Sequence, residues 1–322
     1  MKKSTKILLI VAASLTVIGS VTFTAAMSVN NWDFMKLSTV EYEDKSYEIG
    51  ESFDSISVIT DVAEVKFLPS SDGVCRVVCH ESEYERHSVE VVDGTLTVKL
   101  EDTGEWREKI TIMSFDYPKI TVYLPAGEYG SLSVKGSTGA VSIPEDFSFN
   151  DVDIHVTTGY VKCSASVNGI LNISAGTGYV SVGNLSCGEL KVKTTTGMIK
   201  GADIFCSGRV DLKTGTGKTT LADLHADSLY SRGDSGKLIL TDVTVVGIMD
   251  IGRDTGDVEF ERCDAGEIYV RTDTGDVTGT LRSEKLFFVS TETGKKRVPM
   301  TESGGRCVIE TDTGDIIITI AN

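Results

Sequence analysis

Asp-Thr-Gly occurs three times, at 254–256, 273–275 and 312–314. Two such loops facing each other from separate lobes let a pair of carboxylates share one proton, as in aspartic proteases. Here each triplet is followed by Asp rather than Ser or Thr, and the copies read as turns of one repeated unit. Asp254, Asp257, Asp273, Asp276, Asp312 and Asp315 then form an acidic ladder, with Glu292 in the coil expected between the last two pairs. Turns such as Thr158-Gly159-Tyr160 and Thr177-Gly178-Tyr179 lack it. Carboxylates about 5 Å apart repel by about 1 kcal/mol even in water, so something must offset the repulsion. Lys295 and Lys296 in the expected middle coil, with Arg253 and Arg271, supply that offset as a solvated charge network. A bridging Ca²⁺ ion is the alternative, but the Gly-Gly-x-Gly-x-Asp pattern of calcium-binding repeats is absent. The ladder is thus a candidate ligand-binding site, and no cofactor or resident metal is expected.

Polysaccharide-cleaving β-helices place acids beside a basic residue, and Asp254, Asp273, Arg253 and Arg271 have the types for that chemistry. An active site normally interrupts a repeat, and nothing interrupts this one, so no catalytic residue is assigned. His80, His87, His155 and His225 are scattered without metal-ligand spacing. Cys163 and Cys307 fall at core positions, while Cys187 and Cys206 stack on neighbouring coils and read as reduced thiols. Cys75 and Cys79 are too far apart along one strand to bond each other.

What positions all of these is a repeat. A Gly, usually preceded by Thr, recurs at 139, 159, 178, 197, 217, 236, 256, 275, 294 and 314, always 19 or 20 residues apart. Seven and five positions before it stand apolar pairs such as Leu132/Val134, Val152/Ile154, Ile268/Val270 and Cys307/Ile309. Apolar residues return two and four positions after it, as in Val141/Ile143, Val258/Phe260 and Ile316/Ile318. This period of two marks strands with one buried face, and the Gly marks a turn that a Cβ would obstruct. One such unit cannot bury its own apolar face, whereas stacked coils about 4.8 Å apart can. The leucine-rich signature and the six-residue subperiod are both absent. The fold expected is therefore all-β, a right-handed parallel β-helix.

Ser55 to Phe67 resembles a coil with Ala63 in the Gly position. Val74 to His80, Val89 to Val92, Thr95 to Leu100 and Lys109 to Leu124 read as longer strands, with Asp93-Gly94 as a hairpin turn. Residues 48–130 are expected to cap the solenoid of residues 131–322, and 30–47 to form a polar tether. The last coil, ending on Ile316 to Ile320, carries no evident cap. Residues 1–29 are a membrane anchor or signal segment: Ile7 to Val29 are uncharged behind Lys2, Lys3 and Lys6 and can cross about 30 Å of hydrocarbon. The basic flank puts the remainder outside the cytoplasm. The length favours a retained anchor over cleavage at Thr24-Ala25-Ala26. A net charge of −16, from 31 basic against 47 acidic residues, argues against nucleic acid as a partner.

The segments Asp61-Val62-Ala63-Glu64-Val65 and Ile120-Thr121-Val122-Tyr123-Leu124-Pro125, with the recurring Thr-Gly-x-Val units, resemble the bacterial putative-adhesin domain of unknown function, a family of β-strand repeats. The resemblance spans most of residues 50 to 320. It implies an extracytoplasmic envelope protein behind one membrane helix, engaged in adhesion, and brings no functional residues with it. The expected protein is a non-catalytic, membrane-anchored binder of an extracellular glycan or envelope protein. The alternatives are an envelope-stress regulatory partner, disfavoured by a cytoplasmic stub of only Met1 to Lys6, and a glycan-cleaving enzyme.

Overall fold

The computed structural model describes residues 3–33, 40–82, 85–102 and 116–321. Lys3–Val29 is one helix of 27 residues, long and apolar enough to cross a membrane, with a mean hydropathy of 2.2 over its most apolar stretch. Almost everything after residue 40 is strand.

The offsets read from sequence are the register of the sheet. Gly127–Ile143 pairs in parallel with Phe147–Cys163, setting Leu132 on Val152, Val134 on Ile154, Gly139 on Gly159 and Val141 on Val161. The same columns continue through Leu171, Val210, Leu229, Met249 and Ile268. Their inward side chains form one buried apolar core running the length of the stack. At the turn, Gly256 has φ of 148° and a Cβ there would strike the carbonyl of Gly236 beneath it, so no other residue fits. A buried Thr three positions before a turn Gly fastens the corner of the neighbouring coil: Thr272, before Gly275, donates to the Gly256 carbonyl at 3.4 Å, and Thr311, before Gly314, to that of Gly275 at 3.2 Å. A second corner six residues after the Gly uses Asn184, Asp203, Asp223 and Asp242 in left-handed conformation, which short polar side chains tolerate.

The order of coils departs from the order of the chain near its end. Ile268 pairs with Cys307 and Val270 with Ile309, while Phe287 and Val289 pair with the other side of those same residues. Coil 305–320 therefore lies between coils 264–281 and 285–297, and the expected sequential stack is corrected. Glu292, Lys295 and Lys296 are not in the middle of the ladder but on its outermost coil. The physical reason is Lys296, which stands where other coils carry Val258, Val277 or Ile316. A coil with an ammonium at a core position cannot be sandwiched without burying it. On the outer coil Lys295, Lys296 and Arg297 are exposed and blunt an open sheet edge.

At the other end, Ser55–Ile59 and Glu64–Pro69 form a coil that stacks on Gly127–Ile143. Ala63 lies beneath Gly139, whose carbonyl neighbour Thr138 accepts the Ala63 amide at 3.0 Å. Thr95–Asp102 and Lys119–Leu124 still pair in parallel with the two strands of that coil, and beyond them the pairing turns antiparallel. Thr95–Asp102 pairs with Glu85–Val92 through the Asp93-Gly94 hairpin, both residues at positive φ. On the opposite side Lys119–Leu124 pairs with Cys75–Ser82, and Cys75–Ser82 with Tyr42–Ile49. Strand thus starts at Tyr42, inside the stretch read as tether. Residues 109–115 of the strand expected over 109–124 lie outside the described residues.

Candidate functional site

Coil stacking brings the six aspartates into two adjacent columns. Asp254, Asp273 and Asp312, joined by Asp234, stand two residues before the turn Gly and are exposed. Asp257, Asp276 and Asp315 stand one residue after it. In this second column each carboxylate is held by main chain: Asp257 Oδ1 accepts the Asp276 amide at 3.1 Å, and Asp276 Oδ1 accepts the Asp315 amide at 2.7 Å. Asp315 Oδ1 accepts the amide of Lys295 at 2.8 Å. Backbone donors therefore offset the repulsion within this column. This replaces the network of interleaved lysines expected from sequence. Further back, the same column carries Tyr160 and Tyr179, stacked at 5.3 Å.

A basic column runs beside the acidic one. Lys213, Arg232, Gly252 and Arg271 share one rung series four residues before the turn Gly, and Lys193 holds the same position one coil earlier. Three adjoining cavities of about 250, 260 and 270 Å³ line up along it, the first and second sharing Lys193 and Lys213, the second and third sharing Arg232 and Asp234. The third is walled by Arg253, Arg271, Asp254 and Asp273, so the four residues singled out for glycan chemistry do meet. Arg232 is paired to Asp250 at 2.6 Å. Arg253 does not face solvent as expected: it turns inward, 4% exposed. A run of basic residues at one offset from the turn was the signal in the sequence, obscured by Gly252 and by the displacement of Arg253 by one residue.

A second cluster lies in the cap. Cys79, Glu81 and His87 are buried, with ligand atoms within 4.8 Å of one another. Glu81 Oε2 accepts the His87 amide at 2.7 Å and lies 3.1 Å from His87 Nδ1. Lys45 Nζ stands 3.0 Å from Oε1 as an ion pair off the hydrogen-bonding direction. His87 Nε2 meets the Thr60 hydroxyl at 3.2 Å. Both carboxylate oxygens and both ring nitrogens are thus engaged, and an ammonium occupies the place of a cation. Burial, reinforced by the Glu81 charge, pushes the Cys79 thiol up to about 12, away from the thiolate a metal needs. The arrangement is an ion-pair clasp fastening Tyr42–Ile49 to the cap. All seven cysteines are buried free thiols. Cys187 and Cys206 do meet, and the hydrogen bond between them, with burial, holds the Cys187 thiol protonated.

The chain matches none of the curated proteins. Among solved structures it is similar to a "putative adhesin" from Parabacteroides distasonis, at 13% identity and a TM-score of 0.51, over 76% of this chain and 98% of that one. A "putative adhesin" from Bacteroides fragilis has 14% identity and a TM-score of 0.39, over 87% and 97%. A "putative lipid binding protein" from Parabacteroides distasonis has 15% identity and a TM-score of 0.42, over 86% and 97%. The first of these shares the fold. The Toastrack DUF4097 family model matches residues 53–319, most of the chain, on the same columns of strands described above. By that match this chain belongs to the Toastrack DUF4097 family.

Proposed function

We propose that this protein is a non-catalytic binder, anchored by Lys3–Val29 and displaying its solenoid outside the cytoplasm for adhesion to a glycan or another envelope component. The observation that carries the reading is the row of adjoining cavities along Lys193, Lys213, Arg232 and Arg271. Such a row suits an extended, repeating ligand, because each coil offers it a similar rung about 4.8 Å from the last. The side chains along it recur coil after coil, whereas a catalytic centre concentrates one nucleophile or acid–base pair at one place. Lys2, Lys3 and Lys6, ahead of the uncharged stretch from Ile7 to Val29, support an outside location for the strands. The neighbour that shares the fold is described as a "putative adhesin", in keeping with a binding role.

The test uses the full chain in detergent micelles against extracellular polysaccharides and isolated envelope fractions. Retention of a glycan or envelope component without release of reducing sugar is expected. Reducing-sugar release, or retention of nothing, would overturn the reading.

A further inference from the structure

Position 253 belongs to an inward column that runs from Val156 and Ala175 through Thr194, Thr214 and Gly233 to Thr272 and Thr311. An arginine fits there because its rung neighbour on the preceding coil is Gly233, where a Cβ would come within 2.7 Å of Arg253 Nη1. The guanidinium donates to the Gly252 carbonyl at 2.9 Å and the Ser231 hydroxyl at 2.8 Å, both neutral acceptors. Among the described residues no carboxylate lies within ion-pair distance of it. Burial, and then the Arg232 charge, bring its pKa down to about 10, so it remains a cation at neutral pH. A buried charge without a counter-ion is unfavourable, and Arg253 is one of the residues that line an open cavity of about 270 Å³.

We propose that this cavity binds the carboxylate of an acidic sugar unit, a uronic acid class residue within an extracellular polysaccharide, with Arg253 as its principal charge partner. The proposal rests on the binding role above and narrows its ligand. A planar guanidinium and a carboxylate pair through two parallel hydrogen bonds, and Arg253 has N–H groups left for them. Arg271, exposed on the next coil, approaches from the solvent side of the same cavity. Arg232, Asp234, Asp254 and Asp273 line the cavity as well, and the aspartates disfavour a dianion such as a phosphate and accept hydrogen bonds from the hydroxyls a sugar carries. At about 270 Å³ the cavity falls just below the usual size of ligand pockets and suits no more than a single ring. Lys193 and Lys213 lie along the cavities that follow, in line for further carboxylates of the same chain.

The experiment is isothermal titration of the full chain in detergent with an oligogalacturonate, its fully methyl-esterified form and a glycerol-phosphate oligomer. Binding of the free acid, loss of binding on esterification, and at least tenfold weaker binding by Arg253→Met would support the proposal. Equal binding by Arg253→Met, equal binding of the ester, or preference for the phosphate oligomer would overturn it. Should Arg253→Met unfold, Arg271→Gln and Lys213→Gln carry the test: severalfold weakening in both supports the proposal and unchanged affinity in both defeats it. If the wild type ignores oligogalacturonate but still retains an envelope component, this inference fails and the binding role stands. Failure of both assays removes both.

Discussion

The amide of Asp315 donates to the carboxylate of Asp276 at 2.7 Å, although 39 residues, two repeats, separate them. The Asp276 amide meets Asp257 across 19 residues, one repeat. The doubled interval records the exchange of the last two coils. It also makes the aspartate column continuous, because no lysine interrupts it.

The exchange can be tested by cross-linking. Tyr269 is paired to Val308, and Phe288 lies on the far side of Val308. Tyr269→Cys with Val308→Cys should close a disulfide under mild oxidation, since paired neighbours lie within bridging range. Tyr269→Cys with Phe288→Cys should not, and a bond in that pair would restore the sequential order of coils.

Val270→Asp should destabilise the protein by at least about 3 kcal/mol, because it places an unpaired carboxylate in the core. Val270 is 2% exposed, between Ile251 and Ile309. Arg271→Asp, one residue on and exposed, should change stability by no more than about 1 kcal/mol. Denaturant melts of both variants check this, and equal midpoints would contradict the register.

For the aspartate column, the main-chain bonds lead us to expect little response to millimolar calcium. Asp276→Asn keeps an acceptor for the Asp315 amide and should be near neutral, while Asp276→Ala should cost about 1 kcal/mol. A calcium-induced rise of several degrees in Tm, abolished when Asp257, Asp276 and Asp315 are all Asn, would instead establish a bridging cation.

His80 gives the cap a pH response. Its Nδ1 lies 2.6 Å from Asp44 and its Nε2 2.9 Å from Asp116. Partial burial opposes the imidazolium, but the two carboxylates outweigh it and raise the pKa. Folding therefore takes up protons near neutrality: the contribution is full below about pH 6.5 and fades as pH rises through the raised value. The stability advantage of wild type over His80→Gln should shrink across that range in melts taken at successive pH values. A constant difference would exclude His80 as the titrating group.

The columns were legible in the sequence because every apolar position keeps a fixed offset from a turn Gly, so aligning the glycines aligns the sheet. Ala63 could be placed by the same rule. The exchange of coils was written at Lys296, an ammonium at an apolar offset, but one residue has little weight against a regular spacing. The basic column was countable at its offset, yet nothing local shows Arg253 turning inward, since that depends on Gly233 one coil below. The Lys45 to Glu81 clasp depends on antiparallel pairing outside the repeat. Its trace in the sequence is an acid continuing the buried alternation Cys75, Val77, Cys79.

Translation delivers coil 285–297 before coil 305–320, the neighbour on which it stacks. Until that last stretch emerges, the earlier coil has no native surface to rest on, and the edge of 264–281 stands open beside it. Growth of the stack by simple addition in chain order thus stops short of residue 285, because coil 285–297 stacks on coil 305–320 and not on coil 264–281. A molecule halted at that stage would offer a bare, apolar strand edge within its own length rather than a charged one at its tip. Coil 305–320 therefore covers an apolar edge that could otherwise pair with a foreign strand.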